Sequence, residues 1–357
     1  MNKVKFLINS IAYGLAAALL IILLTPQLRS NLGITQFTDN VINPHAMSFA
    51  HAVKQAAPAV VNIYSVTLDK PLLNQRAQLS DLGSGVIMTS FGHILTNYHV
   101  VDNAELIRVH LQDGRQFNAE VIGLDQVTDL ALLKIDAENL PIIPQNPELE
   151  PQVGDIVLAI GNPLNFGQTI TQGIISAIGK KGLTPGASHG DLIQMDAAIN
   201  VGNSGGALVN SQGMLVGINT ASARTGRNGI QGIFFAIPYK LAKKIMDKLL
   251  ADGEVKRGYL GVGGYPINQM GVPVNSRVES IAGIRLNSVD PLGPAWTAGL
   301  KVGDILLSVN GKQLVSLEEL MAVVENVEPG VILTFSLSRS GEIMTKQVTV
   351  GKLETSN

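Results

Sequence analysis

The stretch Gly202-Asn203-Ser204-Gly205-Gly206 decides how this chain is read, because it follows Thr96-Asn97-Tyr98-His99-Val100 and Asp129-Leu130-Ala131-Leu132-Leu133. Acyl transfer by serine needs a hydroxyl that can lose its proton and an imidazole to take it. It also needs a carboxylate that fixes the imidazole tautomer and stabilises its cation. His99, Asp129 and Ser204 supply these groups in that order. A serine between glycines is by itself a turn signal; the two upstream partners make it a candidate nucleophile. Glycine also permits the close backbone approach and positive φ that an oxyanion site requires. The amides of Gly202 and Ser204 are the expected donors, and they must lie about 2.7–3.1 Å from the developing oxyanion.

Chain order His, Asp, Ser is the chymotrypsin arrangement, whereas other folds with the same triad use other orders. Five of the six histidines lack a comparable setting. His45 and His51 lie near a linker-like stretch, His93 follows a glycine, His110 alternates within a strand pattern, and His189 sits among glycines. His99 instead stands between the apolar runs Ile94-Leu95 and Val100-Val101, where a strand end can project a side chain into a cleft. Asp125 rivals Asp129, but Asp129 directly precedes the buried-looking strand Leu130-Ala131-Leu132-Leu133 and is preferred.

The chain has 357 residues, which exceeds one typical domain. With 46% hydrophobic residues, 37 glycines and 4% aromatics it can bury an aliphatic core built of strands and is not disordered. A formal net charge of −2 and no basic stripe argue against nucleic acid as a partner. There are no cysteines, so disulfides, thiolate metal sites and cysteine catalysis are excluded. No His and carboxylate cluster has ligand spacing, and neither metal nor cofactor is expected.

Lys3 and Lys5 precede an apolar stretch from Phe6 to Leu24, long enough for a membrane helix or a signal peptide. Leu23-Leu24-Thr25-Pro26-Gln27-Leu28 offers no pair of small residues for cleavage, so an uncleaved anchor is expected. The lysines would hold the N-terminus in the cytoplasm and send the rest across the membrane. The expected domains are therefore an anchor over 1–27, a linker over 28–47, a catalytic domain over 48–254 and a smaller domain over 255–353.

Phe49 to Ala57 has helical spacing that Pro58 ends. Val60-Val61-Asn62-Ile63-Tyr64, Gly85-Val86-Ile87-Met88, Ile107-Arg108-Val109-His110-Leu111 and Ile156-Val157-Leu158-Ala159-Ile160 are short, aliphatic and bounded by turn residues. That rhythm predicts a mainly β fold, a pair of barrels rather than a parallel sheet. From Tyr239 to Leu250 a helix is predicted, with Leu241, Ile245, Met246, Leu249 and Leu250 as its apolar face, Pro238 at its entry and Gly253 past its end.

Taken together, the three motifs resemble the HtrA family of chymotrypsin-like serine proteases, over nearly the whole chain after the first few tens of residues. The resemblance implies a double β-barrel protease domain with His99, Asp129 and Ser204 on the catalytic positions. Tyr259-Leu260-Gly261-Val262, continued by Gly263, resembles the carboxylate-binding loop of PDZ domains. Asp290-Pro291-Leu292-Gly293-Pro294-Ala295 and Ala298-Gly299-Leu300-Lys301-Val302-Gly303-Asp304-Ile305-Leu306 resemble the strand, helix and turn that follow it there. Such a loop presents amides to a terminal carboxylate while the adjacent strand edge adds an extended peptide.

In chymotrypsin-like enzymes the residue six before the nucleophile lies at the base of the specificity pocket. Here it is Ala198; with Ile199 beside it and Ile218 opposite, small or medium aliphatic side chains are expected and basic ones are not. An apparent anchor and one PDZ domain resemble the membrane-anchored envelope-stress sensors of the family. That resemblance implies a homotrimer and activation when the PDZ domain captures the C-termini of misassembled outer-membrane porins. It further implies cleavage of the periplasmic part of a membrane-bound anti-sigma factor. The loop Gly179 to Gly190, with Lys180 and Lys181, is a candidate relay between the domains. Two alternatives stay open: a tethered broad-specificity quality-control protease, and a peptide-binding scaffold with an inert protease domain.

Overall fold

The computed structural model describes residues 2–25, 48–68, 77–162, 167–180, 192–220, 232–267 and 283–354. The expected linker, the loop beyond Lys180, His45 and His189 lie outside these residues. The N-terminal helix Asn2–Leu24 has 23 residues and spans roughly 34 Å at 1.5 Å per residue. Its window Val4–Ile21 has a mean hydropathy of 1.8, which makes it long and apolar enough to cross a membrane.

From Ala50 onward the chain is mainly β. A short helix, Ala50–Ala56, passes into a 3-10 turn holding Pro58, as the proline requires. Two closed barrels of six antiparallel strands follow. The first comprises β1 (Val60–Leu68), β2 (Ala77–Ile87), β3 (His93–Thr96), β4 (Leu106–His110), β5 (Gln116–Asp125) and β6 (Leu130–Lys134), in the order β1-β2-β3-β6-β5-β4. The second comprises β7 (Ile156–Gly161), β8 (Thr169–Lys180), β9 (Leu192–Met195), β10 (Ala207–Asn210), β11 (Leu215–Thr220) and β12 (Phe234–Pro238). Its order, β7-β8-β9-β12-β11-β10, repeats that of the first barrel. Each interior is aliphatic. Val61, Ile63, Ile87, Ile94, Val109 and Leu133 fill one, and Val157, Ile175, Ile193, Leu208 and Val216 the other. Closure leaves no free edge on either sheet, so backbone pairing is complete around the barrel.

The helix Tyr239–Asp252 leaves β12 through Pro238 and ends on Gly253, whose φ of +73° closes the last turn with an amide bond to the Leu249 carbonyl of 2.9 Å. It buries Tyr239, Ala242, Ile245, Met246 and Leu249. Leu250, expected on that face, is exposed, and Tyr239 and Ala242 take part instead, because the stripe drifts round the helix as 3.6 residues per turn dictates. The helix end is seated on β5, where Gly123 carries no side chain that would collide with the Gly253 carbonyl.

The third region pairs β13 (Gly258–Tyr259) with β20 (Gly351–Lys352). Its main sheet runs β14 (Val262–Pro266), β15 (Ile284–Val289), β16 (Ile305–Val309), β18 (Ile332–Arg339), β19 (Glu342–Thr349), with β17 (Lys312–Gln313) on β16. Leu260, Leu286, Leu306, Leu320, Val324 and Phe335 form its own core. Ser316 caps the helix Leu317–Glu325, its hydroxyl accepting the Glu319 amide at 3.1 Å.

Candidate active site and peptide groove

Strand pairing brings His99 and Asp129 together. β3 and β6 are antiparallel with Thr96 opposite Ala131, so the chain leaves β3 where it enters β6. The ladder continues as the Tyr98 amide donates to the Asp129 carbonyl at 3.1 Å, and Asn97 Nδ2 donates to the same oxygen at 2.9 Å. His99 lies not on the strand itself but one turn beyond, in the short helix Tyr98–Val101. Its Nδ1 is 2.9 and 2.8 Å from Asp129 Oδ1 and Oδ2, and its amide donates to Oδ1 at 3.1 Å. The His99 side chain is 40% exposed and that of Asp129 is 22% exposed, so the imidazole faces solvent while its carboxylate partner sits behind it. Asp129 has a φ of +57°, in the left-handed region, a conformation that clusters at functional sites.

Ser204 comes from the turn before β10 and is 5% exposed. The Asn203 amide donates to the Asn200 carbonyl at 3.0 Å, closing a four-residue turn whose third residue, Gly202, has a φ of +99°. A type II turn demands positive φ at that position, which is why glycine is there. The Gly205 amide donates to the Asn219 carbonyl and the Asn219 amide to the Gly206 carbonyl, both at 2.8 Å, fixing the turn on β11. Thr220, which ends β11, donates its hydroxyl to Asp129 Oδ2 at 3.0 Å and links the two barrels at the carboxylate. The sequence reading missed Thr220. A threonine at a strand end carries no signal of a partner 91 residues away.

Asp125, the rival carboxylate, has a different role. It is buried at the end of β5, takes a two-point ion pair from Arg257 at 2.6 and 2.7 Å, and accepts the Thr128 hydroxyl. Arg257 directly precedes β13, so this pair joins the third region to the loop that carries Asp129.

The expected pocket residues divide. Ala198 is exposed, with its carbonyl accepting the Thr171 hydroxyl at 2.8 Å. Ile199 packs inside the second barrel with Val157, Ile193 and Val216. Ile218 is fully buried within β11.

Tyr259, Leu260, Gly261, Val262 and Gly263 form the turn into β14, the first strand of its sheet. Gly261 has a φ of +76°, and a β-carbon there would lie 3.0 Å from that of Asp290. Leu260 is buried, while the residues of β14 are half-buried. The Tyr259 hydroxyl donates to Asp290 Oδ2 at 2.8 Å, and the Asp290 amide donates to the Gly261 carbonyl at 2.8 Å. The Leu292 amide and the Tyr259 hydroxyl hold the Asp290 carboxyl below its usual value. The helix Leu317–Glu325 packs alongside β13 and β14.

Among the described residues no group of His, Asp and Glu could hold a metal ion.

Comparison with known proteins agrees with this arrangement. A trypsin-like peptidase domain model matches residues 83–218, and a PDZ domain model matches 285–335. The serine endoprotease DegS of Salmonella typhimurium is 47% identical over 356 residues, covering 98% of this chain and 99% of the relative. DegS of Escherichia coli strain K12 is 46% identical over 359 residues with the same coverage. Among solved structures, the serine endoprotease from Yersinia pestis has a TM-score of 0.71 at 47% identity over 86% of this chain and 98% of that one. The HtrA-type protease AlgW with a decapeptide has a TM-score of 0.77 at 39% identity, over 87% and 100%. With two barrels, a His and Asp pair on the first facing the Ser204 turn of the second, a PDZ sheet and full-length relatives that are serine endoproteases, this chain belongs to the HtrA family and is a DegS-like serine endoprotease.

Proposed function

We propose that the chain is a membrane-anchored endoprotease whose Ser204 is switched on when its PDZ domain captures a C-terminal peptide. Ser204 Oγ attacks the scissile carbonyl carbon as His99 Nε2 takes its proton, while His99 Nδ1–H donates to Asp129. The amides of Gly202 and Ser204 take the charge on the carbonyl oxygen. His99 then passes the proton to the leaving amine, and water repeats the sequence to release the acyl group.

The observation that carries the regulatory half is the place of the PDZ loop. β14 stands at the sheet margin beside the helix Leu317–Glu325, with the Gly261 turn at its entrance, the layout for adding a peptide strand and binding its carboxylate. The buried Arg257 and Asp125 pair ties that region to the Asp129 loop, so a peptide that binds two arrangements of this seam unequally would shift the population of the active one. With the lysines before the helix held in the cytoplasm, the protease and PDZ domains lie in the periplasm. There the activator is the exposed C-terminus of a misassembled porin, and the substrate is the periplasmic part of a membrane anti-sigma factor. We further assign boundaries of 1–27 for the anchor, 28–47 for the linker, 48–254 for the protease and 255–353 for PDZ, a trimeric assembly, and Ala198 as the base of an aliphatic specificity pocket.

The test is hydrolysis of an aliphatic-site reporter by the detergent-solubilised full chain, with a porin-like C-terminal peptide, with its C-terminal amide, and with Ser204→Ala as control. Stimulation by the free carboxylate and not by the amide is expected. Equal activity without peptide would point to a constitutive quality-control protease instead.

A further inference from the structure

Ser84 lies in β2, in the first barrel, yet most of its hydrogen bonds cross to the second. It is fully buried. Its amide donates to the Ser204 carbonyl at 2.8 Å, its hydroxyl donates to the Gly202 carbonyl at 2.7 Å, and the hydroxyl oxygen accepts the Asn162 amide at 3.0 Å. Its own carbonyl accepts the Thr96 hydroxyl at 2.7 Å. Gly202 and Ser204 are the two residues whose amides are assigned to the oxyanion.

These bonds have a geometric consequence. The peptide group between Gly202 and Asn203 is held at both ends, its carbonyl by the Ser84 hydroxyl and its N–H by the Asn200 carbonyl. The peptide group between Ser204 and Gly205 is also held at both ends, its carbonyl by the Ser84 amide and its N–H by the Asn219 carbonyl. The donor amides belong to the alternate peptide groups, 201–202 and 203–204. The amide of Ser204 therefore lies between two clamped planes and that of Gly202 abuts one, and Ser84 supplies one end of each clamp. Gly202 is where the clamp matters most, since glycine at a φ of +99° can rotate with little steric resistance. Without the hydroxyl, the buried Gly202 carbonyl and the buried Asn162 amide each lose a partner, and turning the 202–203 plane is the cheapest way to recover one.

We propose that the Ser84 hydroxyl is a positioning residue that sets the direction of the oxyanion-binding amides from the opposite barrel. This rests on the assignment of Ser204 as nucleophile with Gly202 and Ser204 as donors. Ser84 reaches the turn through the Gly202 and Ser204 carbonyls, and because the amides it positions face charge that develops only in the transition state, its loss is expected to show in kcat more than in KM.

The experiment uses the detergent-solubilised full chain with a saturating porin-like C-terminal peptide. Ser84→Ala is compared with wild type, and Ser84→Thr with Ser84→Val, a pair of nearly equal shape that differs in the hydroxyl. Three quantities are read per folded molecule: kcat and KM on the reporter, the rate of acylation by a fluorophosphonate, and the pH at which kcat reaches half its plateau. The expected result is a fall in kcat of about tenfold or more in the Ala and Val variants, with KM within about twofold. Acylation should slow in parallel, the pH midpoint should stay put, and Thr should stay close to wild type. Equal kcat in the Thr and Val variants, or a wild-type acylation rate in Ser84→Ala, would overturn the proposal. Persistent labelling of Ser204→Ala would instead overturn the nucleophile assignment on which it rests.

Discussion

The two barrels share one strand order, yet they hold their parts of the site by different means. On the first barrel His99 is oriented by side-chain bonds, chiefly the Asp129 carboxylate, which is itself reached by the Thr220 hydroxyl. On the second, Gly202 and Ser204 are oriented mainly by main-chain bonds and by glycines that admit close backbone approach, with the Ser84 hydroxyl of the first barrel as the one side chain in the clamp. The difference teaches that the same loss of activity can arise in two ways. A side chain on the first barrel can be changed with the fold intact, whereas the turn on the second cannot be altered without cost to the fold.

Asp129→Asn is the sharpest way to test the first half. Exchange of the acceptor would favour the wrong His99 tautomer, and kcat should fall by on the order of 10⁴-fold. The melting temperature should stay near that of wild type. A large drop in stability would mean that the carboxylate is structural after all. Gly205→Ala tests the second half. Its φ of +81° and the overlap of a methyl group with the Ser84 carbonyl and the Thr96 hydroxyl should cost at least ~3 kcal/mol, measured by denaturant unfolding. Near-normal stability would break the comparison.

Thr220→Val probes the contact that joins the two means. Losing one hydrogen bond to a carboxylate should lower kcat about tenfold while leaving KM alone, as steady-state kinetics would show.

The smallest effect expected is electrostatic and lies in the PDZ region. Burial pushes the Glu325 carboxyl from 4.5 up to about 7, against the opposing pull of Arg257. Between those values the folded chain keeps a proton that the unfolded chain has released, so this group makes stability fall as pH rises from about 4.5 to about 7. Glu325→Gln should flatten that part of the stability profile, seen as melting temperature against pH, and an unchanged slope would exclude the group as its source.

The order of motifs and the rhythm of short aliphatic runs were legible without coordinates. Strands at β1, β2, β4 and β7 and the helix from Tyr239 rest on local periodicity, whereas the PDZ turn at Gly261 was reached through its resemblance to the PDZ carboxylate-binding loop. The burial of Ile199 with the second-barrel core, beside an exposed Ala198, carried no local signal, since both lie outside the strands whose alternation can be read. Thr220 and Ser84 gave no signal, since hydroxyl residues in strands are ordinary in composition and acquire meaning only from what the register sets against them.

The chemistry and the class of the catalytic fold were written in the chain itself: a His, Asp, Ser order, glycines around the serine, an apolar N-terminal helix and short aliphatic strands with a barrel rhythm, while the second domain was reached through its resemblance to PDZ motifs. Those properties reside within a few residues of each other. Which aspartate meets His99 was decided by the pairing of β3 with β6, and which hydroxyl meets the carboxylate by the meeting of the two barrels. The bonds from Ser84 to Gly202 and from Arg257 to Asp125 span 118 and 132 residues, and only chain closure in three dimensions brings such partners within 3 Å.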